Sequence, residues 1–372
     1  MSCIRIENNI WFSATNYNGL YQYNLGNGIT KRIGDFPNED LWQGGLYHNV
    51  CLYQHSLVFI PHQGRWLSIY DIDKKIFKQV EMPNYRLAQD DVGKFLEGVV
   101  YQDKVYVVGY RFPGIIKVDL NTYETEIVYE VHENPGNDGV YSVYFGAQAA
   151  VDGNLLYIPC LYHNSVLIFD MNHDEAIQVE IGEDFSRYIR IVRDDSKFYL
   201  VTKDTSHLVV WDKNTSNWYE IELNFRKNYV DALICCNEEY IWVISPVSGE
   251  IYRIEKVDYK VHYIDLSRVL NIDYAIEYKD GICFIDYNTG NWYYLNSQDV
   301  VFDLQTKIMD SRETEEIWTG LKHAYLEIAE SGISPIQYLI FRMMGEEDTA
   351  LTQSKENQSI GEKIWENTCK EV

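Results

Sequence analysis

Five ionisable residues occupy matching places in a chain that repeats itself: His48, Glu97, Arg190, Asp231 and Asp273. Each stands about eight or nine positions before an apolar run of one kind, headed by Leu57, Val105, Phe198, Tyr240 and Ile282. Carboxylates beside an arginine and a histidine can exchange protons, because burial and neighbouring charge drive their pKa values apart. Glu97, Arg190, Asp231 and Asp273 are therefore the candidate catalytic groups. The plainer reading of the same set is a solvated polar rim around a water-filled channel.

A second group lies in three long polar stretches, 37–49, 83–95 and 132–145. They carry Trp42, Tyr47, His48, Tyr85, Arg86, Tyr141 and Tyr144 among carboxylates. Aromatic faces with hydrogen-bonding neighbours suit a sugar or another flat polar ligand. Shorter turns add Arg65, Arg111, His163, Lys203 and His207. The candidate ligand-binding set is Trp42, His48, Tyr85, Arg86, Arg111, Tyr141, His163 and Arg190. His62 and His163 lack HxH or HExxH spacing, and NPGND (134–138) lacks the calcium-loop pattern, so no metal is expected. Neither a Walker loop, a GxGxxG after a strand nor a GxSxG is present, so no cofactor is expected.

Positioning such residues needs a scaffold, and the repeat supplies one. The runs IWFS, LVFI, VYVV, LLYI, FYLV, YIWV and ICFI start at Ile10, Leu57, Val105, Leu155, Phe198, Tyr240 and Ile282. A polar residue closes the next run of each unit: Asn24, Asp71, Asp119, Asp170, Asp212, Glu255 and Asn296. These seven recur at intervals of 41–51 residues. Each unit holds four short runs rich in Val, Ile and Tyr, joined by turn residues, and so reads as four strands. Four antiparallel strands at this period make one propeller blade, which buries both sheet faces against its neighbours. The expectation is an all-β, seven-bladed β-propeller over 1–308, with ring closure by packing of the first blade on the last.

The charge is −24, with 56 acidic against 32 basic residues. That argues against nucleic acid and anionic membrane surfaces as partners, since both require clustered cations. The seven cysteines form no CxxC pair, and four (Cys51, Cys160, Cys235 and Cys283) sit inside apolar runs. This usage suits a reducing compartment, and the expected location is the cytoplasm. The stretch MSCIRIENNIWFS does not read as a signal peptide, and no apolar window approaches a membrane span.

The diglycine Gly44-Gly45 and the Trp211-Asp212 pair each occur once. With the repeat, they make the chain resemble bacterial propellers of the WD-repeat and kelch-like kind across 1–308. The resemblance implies architecture and carries over no functional residue. From 309 the pattern becomes helical, giving a small α-helical tail over 309–372. Asp310–Glu313 and Ser359–Glu362 look like helix caps, and Pro335 stands at a tolerated first helical position. The tail either packs on its own propeller or docks on another chain. The functional expectation is a binding scaffold for a small polar ligand or a partner protein. The alternative is a lyase, epimerase or hydrolase acting on a carbohydrate or peptide at the channel mouth.

Overall fold

Each repeat folds as two hairpins laid side by side, giving seven blades, each with four consecutive antiparallel strands from its own repeat. The computed structural model describes residues 2–15, 17–40, 43–83, 93–132, 143–182, 187–203, 207–225, 232–246, 248–266, 272–286, 290–304 and 307–308. The seven runs aligned in the sequence are the second strands, from Asn9–Ser13 in blade 1 to Gly281–Asp286 in blade 7. The first strands approach one another around the central axis. They are Cys3–Ile6, Tyr47–Tyr53, Phe95–Tyr101, Ala150–Asp152, Tyr188–Asp194, Leu233–Cys236 and Ile272–Tyr278.

The second strands are apolar throughout because both of their faces are covered. In Ser56–Pro61, Leu57 and Phe59 enter the core shared with blade 1, whereas Val58 and Ile60 enter the core shared with blade 3. Successive side chains of a strand point to opposite faces, so a radial array buries every residue of such a run. Seven apolar clusters result, one at each blade junction.

The first and last blades meet by side-chain packing. All four strands of blade 1 come from residues 3–34, and those of blade 7 from 272–304. Cys3, Ile10 and Tyr23 of the first meet Ile285 and Trp292 of the last. Trp292 stacks on Tyr23 with ring centroids 5.6 Å apart and planes 7° from parallel.

The polar column at the third-strand ends has a physical cause. Asn24, Asp119, Asp212 and Asn296 each accept, on one side-chain oxygen, hydrogen bonds from two backbone N–H groups of the turn that follows. Asp71 and Asp170 accept one such bond each. Glu255 differs: its carboxylate holds His262 at 2.7 Å. Each of these seven turns passes through one residue of left-handed φ: Gly28, Lys75, Tyr123, Asp174, Ser216, Tyr259 or Asp299.

Residues 1–287 and 291–306 form one compact unit. The second, 288–290 and 307–372, contains the short strand Lys307–Ile308. The expected tail helices lie outside the described residues. No helix among the described residues is long and apolar enough to cross a membrane.

Candidate functional site

Antiparallel order puts the turns inside the hairpins on one face of the ring. The loops joining second to third strands, and those joining blades, share the other. His48, Glu97 and Arg190 all stand near the loop-face end of their inner strands.

They form part of an axial cluster, and Glu97 is its hub. Its Oε1 accepts Asn49 Nδ2 of blade 2 at 2.6 Å and its own strand's Gly98 N at 2.9 Å. Its Oε2 accepts Ala149 N of blade 4 at 3.3 Å. One side chain thus ties three blades. At 5% exposure Glu97 is no part of a solvated rim, which corrects the plainer expectation for this residue. Burial pushes its carboxyl up to about 8, against the hydrogen bonds and the Arg190 charge, which pull it down.

Arg190 lies on the inner strand of blade 5, beside Gln148 of blade 4. Its charge acts on His48, Glu97, Cys235 and Tyr274, from four other blades. Burial holds the His48 imidazole well below its ordinary value, with the Arg190 charge adding to the effect. His48 Nδ1 lies 2.9 Å from Leu96 O, and its ring is 5.6 Å from that of His62. The inner cysteines bind across junctions too: Cys51 Sγ donates to Gly98 O and Cys235 Sγ to Ala275 O. Chemically, the axis joins a carboxyl inclined to hold its proton with a guanidinium and imidazoles inclined to stay neutral.

Around this axis the loops are stapled to one another. Buried Asn18 donates to Phe36 O and accepts from Phe36 N. Glu39 Oε1 accepts Arg65 N at 2.7 Å and Trp66 N at 3.3 Å. His62 N donates to Leu46 O, and His62 O accepts from Gly93 N and Lys94 N. Lys94 O then accepts Tyr110 N, Tyr110 O accepts Tyr144 N, and Tyr144 O accepts Leu161 N. This backbone belt runs from blade 1 to blade 4, the half of the ring where the sequence places its long loops.

A cleft of about 280 Å³ opens in the belt between blades 2 and 3. Arg65, Trp66, Met82, Lys94, Phe95 and Phe112 line it, with Glu81 at the end of the last strand of blade 2.

Among the residues expected in the site, Arg111 lies beside this cleft, its Nε near Gly93. His163 is exposed, and its ring contacts Tyr162, which in turn contacts Tyr144. The structure therefore spreads His48 and Arg190, Arg111, and His163 over three places on one face. Tyr47 is a core residue, 1% exposed, with its hydroxyl on Ser68. Trp42, Tyr85, Arg86, Tyr141 and Asp231 lie outside the described residues, as does the side chain of Asp273. The described residues hold no cluster of three metal-ligating side chains.

No protein-family model matches the chain, and no curated protein sequence matches it. Solved structures resemble it in fold. A streptogramin B lyase structure matches with a TM-score of 0.59 at 14% identity, over 79% of this chain and 89% of the other. A catalytically inactive variant of virginiamycin B lyase from Staphylococcus aureus, solved with quinupristin, gives 0.55 at 11% identity, over 69% and 83%. BamB from Moraxella catarrhalis gives 0.54 at 14%, over 82% and 88%. At these identities the likeness concerns architecture alone.

Sequence reasoning passed over Asn49 and Glu39, because each acts on a residue far away in the chain. It also passed over the cleft. The available signal was the Gly64-Arg65-Trp66 turn, where a Cβ on Gly64 would meet Leu46 O at 3.0 Å and Glu39 Oε1 at 3.1 Å.

Proposed function

We propose that this protein is a binding scaffold whose loop-rich face takes a small polar ligand or a partner protein. The observation that carries the reading is the backbone belt between blades 1 and 4, which fixes several loops as one surface around a cleft. Rigid sheets presenting ordered loops are a common way to build a recognition surface. In this reading Trp42, Tyr85, Arg86 and Tyr141 contribute from the long loops, and His48, Arg111, His163 and Arg190 from the blades. Cys51, Cys160, Cys235, Cys236 and Cys283 carry free thiols, which supports work in a reducing compartment such as the cytoplasm. The C-terminal segment serves as a further docking element for another chain.

The test is the paired substitution Trp42→Ala with Arg111→Ala, followed by thermal melting and recovery of the native ligand or partner. Loss of recovery with an unchanged melting temperature supports the reading. Full recovery, or a protein that no longer folds, contradicts it.

A second reading is favoured by one observation, the buried Glu97 carboxyl that keeps its proton up to about pH 8 beside Arg190. Such a group suits general acid chemistry, as in a lyase, epimerase or hydrolase acting at the channel mouth. Two of the structures similar in fold are lyases by name. Carboxyl NMR titration of Glu97 tests this reading, and a midpoint in the ordinary carboxylate range removes its support.

A further inference from the structure

We propose that the cleft between blades 2 and 3 docks a peptide segment of a partner protein in which one acidic residue adjoins an apolar one. The inference rests on the loop-rich face being the binding face, and it names the ligand chemistry there.

Size is the first argument. Small-molecule pockets run to roughly 300–1,000 Å³. A cleft of about 280 Å³ falls just below that range and suits one or two side chains of a larger ligand.

Chemistry is the second. Two cations, Arg65 and Lys94, border a wall made by Trp66, Phe95 and Phe112. Phe95 and Phe112 are buried, Trp66 is half-buried and Arg65 is exposed. The Arg65 guanidinium makes no hydrogen bond or ion pair among the described residues. An unengaged arginine is a ready partner for a carboxylate, which its planar fork can bind at two points. The Arg65 and Lys94 charges also act on Glu39, whose Oε1 accepts Arg65 N and Trp66 N. Glu81 is exposed where the cleft ends, so a run of acidic residues would be repelled and a single one accepted. On a chain of net charge −24, Arg65 and Lys94 are the groups of this cleft that attract a carboxylate.

Rigidity is the third. Arg65 and Trp66 are held at their backbone by Glu39, and Lys94 is held by His62 O. The backbone of the site is therefore set before binding, which lowers the ordering cost on association.

The experiment is fluorescence anisotropy with three fluorescein-labelled peptides that share Gly-Ser flanks. Their central triplets are Leu-Glu-Phe, Leu-Gln-Phe and Leu-Lys-Phe. The full-length protein should bind the Glu peptide about tenfold more tightly than the Gln peptide, with the Lys peptide weakest. Arg65→Glu and Lys94→Glu should each remove most of that preference, and Arg65→Lys should keep part of it. All three changes are checked by thermal melting. Equal binding of the three peptides overturns the proposal. So does a preference that survives Arg65→Glu, or phenylacetate competing as well as the peptide does. Failure here alongside a positive Trp42 and Arg111 test removes the peptide reading alone. Failure of both removes the binding face itself.

Discussion

The two faces of the ring are built by opposite strategies. On the turn face each hairpin looks after itself, through an Asx oxygen and a left-handed residue. Blades are joined there by single charged or polar side chains. Lys78 of blade 2 lies over Tyr123 of blade 3, and Lys117 of blade 3 binds Asp174 of blade 4. Lys197 of blade 5 donates to Tyr259 of blade 6, and Arg253 of blade 6 pairs with Asp299 of blade 7. In all four pairs the second residue is the left-handed one of its turn. On the loop face support comes from elsewhere in the chain: Asn18 holds 36, Glu39 holds 65 and 66, and His62 holds 93 and 94. A face whose parts are held mutually can fix a binding surface. A face of locally capped turns, tied to their neighbours by single side chains, is held less closely as one surface.

The largest break in this comparison should come from one substitution made on both faces. A Cβ on Gly109, in the loop face, would meet Phe112 O at 1.9 Å, a backbone atom that cannot yield cheaply. Gly109→Ala should cost about 3 kcal/mol or more in chemical denaturation. Gly153, in a turn, has φ +63° and nothing within 4 Å of its added Cβ. Gly153→Ala should cost only about 1 kcal/mol. Equal costs would show that the close approach of Phe112 O to Gly109 does not constrain this loop.

The axial cluster should sharpen it through pH. Glu97 titrates near 8 in the fold against 4.5 ordinarily, so the native state keeps a proton that the unfolded chain has released. Its contribution to stability is full below about 4.5 and is lost as pH rises through 8. His48 is shifted the other way, well below 6.5, so its contribution is present above 6.5 and lost as pH falls. Glu97→Gln should flatten the loss between pH 5 and 8, an effect on the order of a few kcal/mol. His48→Asn should flatten the acid side only. Melting curves across pH on both variants check the signs.

Smaller effects separate the clamps from the ties. Glu39→Ala removes the acceptor of two backbone N–H groups and should cost about 2 kcal/mol. Asn296→Ala removes the same kind of acceptor in an exposed turn and should cost about 1 kcal/mol. Lys117→Met breaks a blade-to-blade pair and should cost about 0.5–1 kcal/mol, less at high salt.

The same contrast explains what could be read from the sequence. The repeat, the second strands and the third-strand turns were legible because their causes are local. The unbroken apolar run LVFI, or a carboxylate two residues from the N–H it accepts, is visible in a short window. Trp211-Asp212 is a case in point: the indole is buried and Asp212 caps its turn. The site was legible only in part. Aligning the repeats placed His48, Glu97 and Arg190 at one end of the inner strands. It could not show that Asn49 and Ala149 would bury Glu97, since those contacts join residues 48 and 52 positions away. Nor could it show that Glu39 would set Arg65 and Trp66 into a cleft wall. Nor could it show that Tyr47, in one of the long polar stretches, would be a core residue, since its hydroxyl partner, Ser68, lies in another strand.

The claim that function resides on the loop face is tested most directly by site-specific photo-crosslinking in the native host. A photo-reactive amino acid is placed at His163 on the loop face and, separately, at Lys75 in a turn, both of which are exposed. The account predicts a discrete adduct from position 163 and none from position 75. An adduct from position 75 alone, or from neither, would contradict it.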